Sequence, residues 1–343
     1  MKKILNMTLV AVAAMMVISC AKQEPELVNI SKGTKVSFIA EAPSIDYDTP
    51  DTKVSSDGTN GATGTAIRYK FKWDAGDKIA LYTITPATKD EYTYWDDFVT
   101  EAGGSSADFT GQMPDSYKGT SLIGLHSKYT ETFTVYWNTS RTDFGYNIPS
   151  TQDGTGFKYA LYCGITANDF YDEENNKILI SGSDPANPAK AIWQMVSAIT
   201  RFTMDLGEGV EVNRIDVSAN YSDGTVAKLA SGGSSKDIYT SSANIYTLWS
   251  GNSSVNTITI ENGGQALPND IYFTSRNANG TTNGKYVILT FVFTNSYGKT
   301  ATRVMKMATS ISEDGKKAST PKNIAVNKIN RLGTVTLNAE DFQ

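Results

Sequence analysis

Histidine occurs once and cysteine twice in the 343 residues, and each scarcity closes a class of chemistry. A histidine-centred triad would have to use His126, and zinc sites built from several histidines or cysteines are excluded. With only Cys20 and Cys163, at most one disulfide is available, so the fold must stand on burial and strand pairing. The formal net charge is only -5, and lysines and arginines are scattered rather than gathered into a stripe. Both features argue against nucleic acid as a partner. The mostly apolar stretch from Ile4 to Ile18 is interrupted by Asn6 and Thr8 and is too short for a spanning helix. No cofactor is expected.

What stands at the amino end is an export signal. Lys2 and Lys3 precede the apolar run, which closes on Val17-Ile18-Ser19-Cys20. That closing tetrad resembles the lipobox of bacterial lipoproteins. The resemblance implies that residues 1–19 are removed and that Cys20 carries diacylglycerol, which leaves no partner for Cys163. Residues 20–34, opening Cys-Ala-Lys-Gln-Glu-Pro-Glu, are polar and without amphipathic period, as a tether requires. The membrane is then reached through lipid rather than through a transmembrane helix.

The rest is rich in Thr, Ser, Tyr, Val, Ile and Gly, with apolar and polar residues alternating over short spans, which predicts an all-β protein. Strands are expected over residues 35–40, 69–73, 78–83, 132–137, 157–165, 177–181, 212–219, 257–261, 271–275 and 285–295. Asp, Asn, Gly and Ser clusters separate them at the spacing of a sandwich. The length favours two domains, each able to bury a core. Their boundary is placed at the breaker Ser181-Gly-Ser-Asp-Pro-Ala-Asn-Pro-Ala, giving an N-terminal domain over 35–188 and a C-terminal one over 189–343. Residues 189–206 read as one long strand, with Phe202, Met204 and Leu206 on one face and Ile199 apart from them. From Glu41 to Ala66 the chain is polar and unusually long for one connection, so the first strand hangs on a protease-accessible leash.

Few residues group as a catalyst would need. His126 reads as structural or surface. The adjacent pairs Asp96-Asp97 and Glu173-Glu174 would point to opposite faces of a strand, so neither forms a glycosidase dyad by itself. Asp46, Asp48 and Asp51 could offer calcium weak ligands, but the run lacks the glycine and final glutamate of an EF-hand loop. Alternation places most aromatics in the core, including Trp73 and Trp137. Tyr94 and Trp95, in an acidic irregular stretch, are the candidates for a ligand platform.

Several segments together resemble the fimbrillin family of Bacteroides and Porphyromonas relatives, the subunits of lipoprotein-derived type V pili. They are Cys20, Val36-Ser-Phe38, Asp51-Thr-Lys53-Val, and Phe71-Lys-Trp73-Asp-Ala-Gly76-Asp77-Lys-Ile79-Ala-Leu-Tyr82, followed by Ala107-Asp-Phe109-Thr-Gly111, Ile192 to Leu206, and Ile329 to Leu337. The resemblance implies two tandem transthyretin-like Greek-key β-sandwich domains, transport to the outer membrane, a cell-surface place in a pilus, and adhesion rather than catalysis. It also implies that a surface trypsin-like arginine or lysine protease cuts the leash, after Lys53 or after Arg68. The first strand, with Val36 and Phe38 facing the core, is then lost, and a neighbouring pilus subunit's carboxy-terminal strand fills the groove. In this chain that donor would be residues 323–337, with Ile324, Val326, Ile329, Leu332, Val335 and Leu337 as apolar pegs. Partners would be further pilus subunits, identical or different, and a host or bacterial surface ligand. The rival expectation is a surface glycan-binding lipoprotein that does not polymerise.

Overall fold

The computed structural model describes residues 33–42, 44–47, 68–83, 94–113, 122–128, 134–138, 141–146, 148–172, 174–180, 194–230, 234–238, 249–250, 256–278, 284–325 and 328–343. The chain is all-β. Its first half carries β1 (Thr34–Glu41), β2 (Ser44–Tyr47), β3 (Arg68–Lys70), β4 (Lys78–Thr83), β5 (Tyr94–Thr100), β6 (Ser106–Met113), β7 (Leu122–His126), β8 (Thr134–Asn138), β9 (Arg141–Tyr146), β10 (Thr151–Gln152), β11 (Tyr162–Asp172) and β12 (Lys177–Ile180). The second carries β13 (Gln194–Met195), β14 (Ala198–Leu206), β15 (Val212–Tyr221), β16 (Ser234–Ile238), β17 (Trp249–Ser250), β18 (Thr257–Glu261), β19 (Asp270–Ser275), β20 (Val287–Asn295), β21 (Thr300–Ile311), β22 (Ala318–Pro321) and β23 (Lys328–Leu337).

An eight-stranded sheet runs β12-β1-β6-β5-β4-β7-β11-β13 and, because β11 also pairs with β12, curls back on itself. A six-stranded sheet, β10-β18-β15-β20-β21-β22, and a five-stranded one, β19-β14-β23-β2-β3, hold most of the later strands. Period-two alternation decides which side chains go inward. In β20 the residues Val287, Leu289, Phe291 and Phe293 are buried while those between them are half-buried. β4 is buried on both faces: Ile79 and Leu81 join the apolar cluster around β1, whereas Ala80 and Tyr82 join the cluster built by the later strands. Such a strand reads as an unbroken apolar run, as Ile79-Ala-Leu-Tyr82 does.

Three expectations change. The segment expected as a single strand over 189–206 is two strands in two sheets among its described residues, β13 beside β11 and β14 between β19 and β23. The chain passes from one sheet to the other at Val196-Ser197, both buried, so hydrophobicity does not mark the break. Ile199 nevertheless stands apart as expected, in the cluster around β1, while Phe202 and Met204 pack in the other. Phe157–Tyr159 is a short 3-10 turn and not the start of a strand. Gly156 before it has φ +62, and a Cβ there would lie 2.7 Å from Tyr272, so the backbone turns where a strand would continue. Finally, the leash is not all connection: Ser44–Tyr47 forms β2, antiparallel to β3 and parallel to β23 at Lys328 and Ile329. Four residues are too few for alternation to register in the sequence.

Candidate functional site

β1 is a strand with one strong side and one weak side. It pairs antiparallel with β6 along its whole length, from Thr34 opposite Met113 to Glu41 opposite Ser106. Toward β12, among the described residues, it makes one parallel bridge, at Ser37 and Lys177, and the Ser37 N–H donates to Asn176 O at 3.1 Å. Its anchoring comes from alternate side chains: Val36, Phe38 and Ala40 are 1%, 1% and 0% exposed, with Ser37 and Ile39 half-buried between them. Burying a side chain such as Val36 or Phe38 contributes about 1.5–3 kcal/mol.

The seat of Phe38 is aromatic. Its ring lies 5.7 Å from Phe109, near-parallel at 15°, and 5.4 Å from Phe98. Trp73 meets Phe109 edge-on at 5.0 Å, and its Nε1–H donates to Ala40 O at 3.0 Å, so one residue both walls the groove and grips the β1 backbone. Trp73 is held from its own side. Its N–H and C=O exchange hydrogen bonds with Gly104 at 2.8 and 2.9 Å, and a Cβ on Gly103 would stand 2.6 Å from Trp73 O. The Asp74-Ala-Gly76-Asp77 turn then leads into β4. The Asp77 N–H donates to Asp74 O, the Asp74 N–H donates to the Asp77 carboxylate, and Gly76 takes φ +88. Lys128 pairs with both Asp74 and Asp77.

The Phe109-x-Gly111 segment has a steric reason. Gly111 opposes Val36, and a Cβ there would fall 2.7 Å from the Phe98 ring. Gly111→Val is expected to destabilise the chain by about 1–3 kcal/mol through overpacking, read as a lower guanidinium midpoint. A midpoint equal to the parent's would show that Phe98 has room to move.

His126 lies behind this wall, buried, with its ring 5.0 Å from Trp73 and 5.8 Å from Tyr162. Its Nδ1 is 2.6 Å from Lys78 O; a carbonyl only accepts, so Nδ1 carries the proton. Burial is the main influence on its pKa and holds it below the ordinary imidazole value. The Lys78 carbonyl and Asp77 oppose the shift, and Lys128 adds to it. The folded chain therefore keeps His126 neutral where the unfolded chain takes up a proton. Its contribution to stability is complete above the unfolded value near ~6.5 and is lost as pH falls through that value toward the lower folded one. Stability should fall more steeply below about pH 6.5 in the parent than in His126→Gln. Parallel curves would remove histidine from the acid response.

The other sequence candidates lie elsewhere. Tyr94 and Trp95 are the first residues of β5, and their side chains lie outside the described residues, as do Lys53, Asp48, Asp51, Glu173 and Cys20. Asp96 and Asp97 do not form a dyad: Asp96 accepts from the Gln112 and Asp97 N–H groups, and Asp97 stands 3.9 Å from Lys78 Nζ. No group of three or more His, Cys, Asp or Glu among the described residues could hold a metal ion. Arg68 is the first residue of β3, opposite Asp46.

The segment named as donor is already engaged within the chain. β23 lies between β14 and β2, parallel to both. Ile324, Ile329 and Leu337 are fully buried, Val335 nearly so and Leu332 partly; Val326 lies outside the described residues. The pegs do not share one face. Ile329 packs in the cluster with Val36 and Phe38, while Val335 and Leu337 pack in the other, across a register shift between strands β14 and β23. Asn330 pins the start of β23. Its side chain accepts from Ala325 N–H and donates to Ala325 O and Ile199 O, at 2.9 to 3.0 Å. At the other end Phe342 is buried and Gln343 exchanges two backbone hydrogen bonds with Thr300.

No protein-family model matches the chain, and no curated protein matches its sequence. Among solved structures, it is similar to a candidate cell adhesion protein from Bacteroides uniformis, at TM-score 0.44 and 12% identity over 90% of this chain and 94% of that one. A candidate cell adhesion protein from Bacteroides ovatus gives TM-score 0.41 and 10% identity over 91% and 95%. The tip fimbrial protein Mfa3 from Porphyromonas gingivalis, with C-terminal truncation, gives TM-score 0.31 and 9% identity over 80% and 82%.

Proposed function

We propose that the chain is a fimbrillin-like subunit of a cell-surface pilus, exported as an outer membrane lipoprotein through Cys20 and serving adhesion rather than catalysis. The observation that carries the reading is the asymmetry of β1: eight residue pairs on one edge, a single bridge on the other, and Val36, Phe38 and Ala40 as pegs in a deep groove. A strand held in this way can leave while β6 keeps its pairing with β5 and β12 its pairing with β11. What it leaves behind is an open β6 edge over an apolar trough, which an incoming strand can complete by main-chain hydrogen bonds and alternate side chains.

Lys53 is the favoured cut, because it is the only Lys or Arg between residues 48 and 67, whereas Arg68 is paired within β3. A cut at either place releases β2 together with β1 and uncovers β23 at Lys328 and Ile329. Donation by β23 would then require it to leave β14 as well.

Amino-terminal sequencing of protein shed from cells tests the reading. A new start at Val54 or Tyr69 is expected, with fibres visible by electron microscopy after protease treatment. Intact, acylated chain on every molecule, and no fibres, would overturn it.

A further inference from the structure

The groove under β1 carries information about its replacement. Its three peg sites differ in size: Val36 opposes Gly111, Phe38 lies between the rings of Phe98 and Phe109, and Ala40 opposes Ala107 with its carbonyl held by Trp73. The order along the strand is medium, aromatic, small, and all three residues are at most 1% exposed.

Residues 323–337 do not reproduce that order. They contain no aromatic residue. Of the alternate triads running in the direction of β1, Ile324-Val326-Lys328 puts a lysine where Ala40 sits, and Gly333-Val335-Leu337 puts a leucine there. Read backwards, Leu337-Val335-Gly333 avoids the clash at the small site but would run parallel to β6, and Val335 would leave most of the Phe38 site empty. The same segment is also committed at home, between β14 and β2, with Ile329, Val335 and Leu337 buried.

We infer that the β1 groove is selective for an extended strand of a different subunit, carrying an aromatic peg flanked by a medium and a small apolar residue, and not for residues 323–337 of a second copy of this chain. The inference rests on the strand-loss reading above. A cavity the size of the missing ring would be both dry and unfilled, which makes the central peg the main source of discrimination.

The test uses the full chain with a site-specific protease sequence inserted after Lys53. After cutting, exchange of β1 for fluorescent peptides is followed by anisotropy. The peptides are Thr34–Glu41, the same peptide with Phe38→Ala, and residues 323–337. The first is expected to enter, the second to bind at least about 100-fold more weakly, and the third not to enter where the first saturates. Equal binding of the first and third peptides, or of the first and second, overturns the inference and leaves strand loss standing. Failure of all three, Thr34–Glu41 included, overturns strand loss and the inference with it.

Discussion

Phe38→Ala is expected to lower the stability of the uncut chain by about 3–5 kcal/mol, the range for emptying a large aromatic from a packed core. The side chain is 1% exposed and lies against two rings, Phe98 and Phe109, which are themselves fully buried and have little freedom to collapse into the space. Guanidinium unfolding of parent and variant gives the difference, provided that the slopes agree. Hydrogen exchange adds the location. If β1 is a detachable strand, the β6 amides that face it should lose protection before the rest of β6 and β5 do, because local opening parts the β12 bridge, the β6 ladder and the Trp73–Ala40 hydrogen bond while β5 stays paired. Phe38→Leu, which keeps most of the volume, should cost clearly less. A Phe38→Ala variant within about 1 kcal/mol of the parent would mean that the site is far looser than its geometry, against the usual core result.

Trp73→Ala should be of similar size, about 3–5 kcal/mol, for a different set of reasons. Trp73 is 3% exposed and serves three neighbours: it meets Phe109 and His126 edge-on, and it donates through Nε1 to Ala40 O. Trp73→Phe separates these roles. It keeps a ring beside Phe109 and His126 but removes the donor, so beyond the loss of ring area it should cost the net worth of one hydrogen bond, about 0.5–1.5 kcal/mol. The grip on Ala40 predicts that this variant loosens β1 more than its global stability suggests. In the cut chain, dissociation of the β1 peptide from Trp73→Phe should be faster than from the parent. Equal dissociation rates would show that the Ala40 hydrogen bond holds nothing that packing does not hold already.

Much of this site is legible along the chain. Val36-Ser-Phe38 alternates cleanly, and both apolar residues point inward. Trp73-x-x-Gly76-Asp77-x-Ile79 is a run in which each residue type has a local cause: a ring for the groove wall, a glycine for positive φ, an aspartate to close the turn, and an apolar residue to begin a strand. Phe109-x-Gly111 likewise has a reason, but only half of it is local. Phe109 follows from alternation, whereas the need for glycine at 111 comes from the Phe98 ring, which belongs to another strand. His126 shows the same limit. Along the chain it reads as structural or surface alike, and only its enclosure by Trp73, Tyr162 and the Lys78 carbonyl decides between them.

The donor assignment shows where reading apolar residues along a chain stops. Ile329, Val335 and Leu337 are apolar in any arrangement, and the same residues serve as pegs in a neighbour or as core at home. In this chain they pair with β14 and β2, more than a hundred residues away, and that engagement is not visible in the run of apolar residues itself. β2 escaped notice for a related reason: four residues acquire a strand's conformation only because β3 and β23 offer hydrogen bonds on both sides. The sequence alone therefore determined the class, all-β, and the inward-facing residues of strands that alternate cleanly, such as Val36 and Phe38 in β1 and Phe202 and Met204 in β14, since these depend on backbone sterics and a two-residue period. Only the tertiary structure decided that β1 is strongly held on one edge and weakly on the other, that its central peg site is an aromatic slot, and that β23 is already occupied, because each depends on contacts between segments that are distant in the chain.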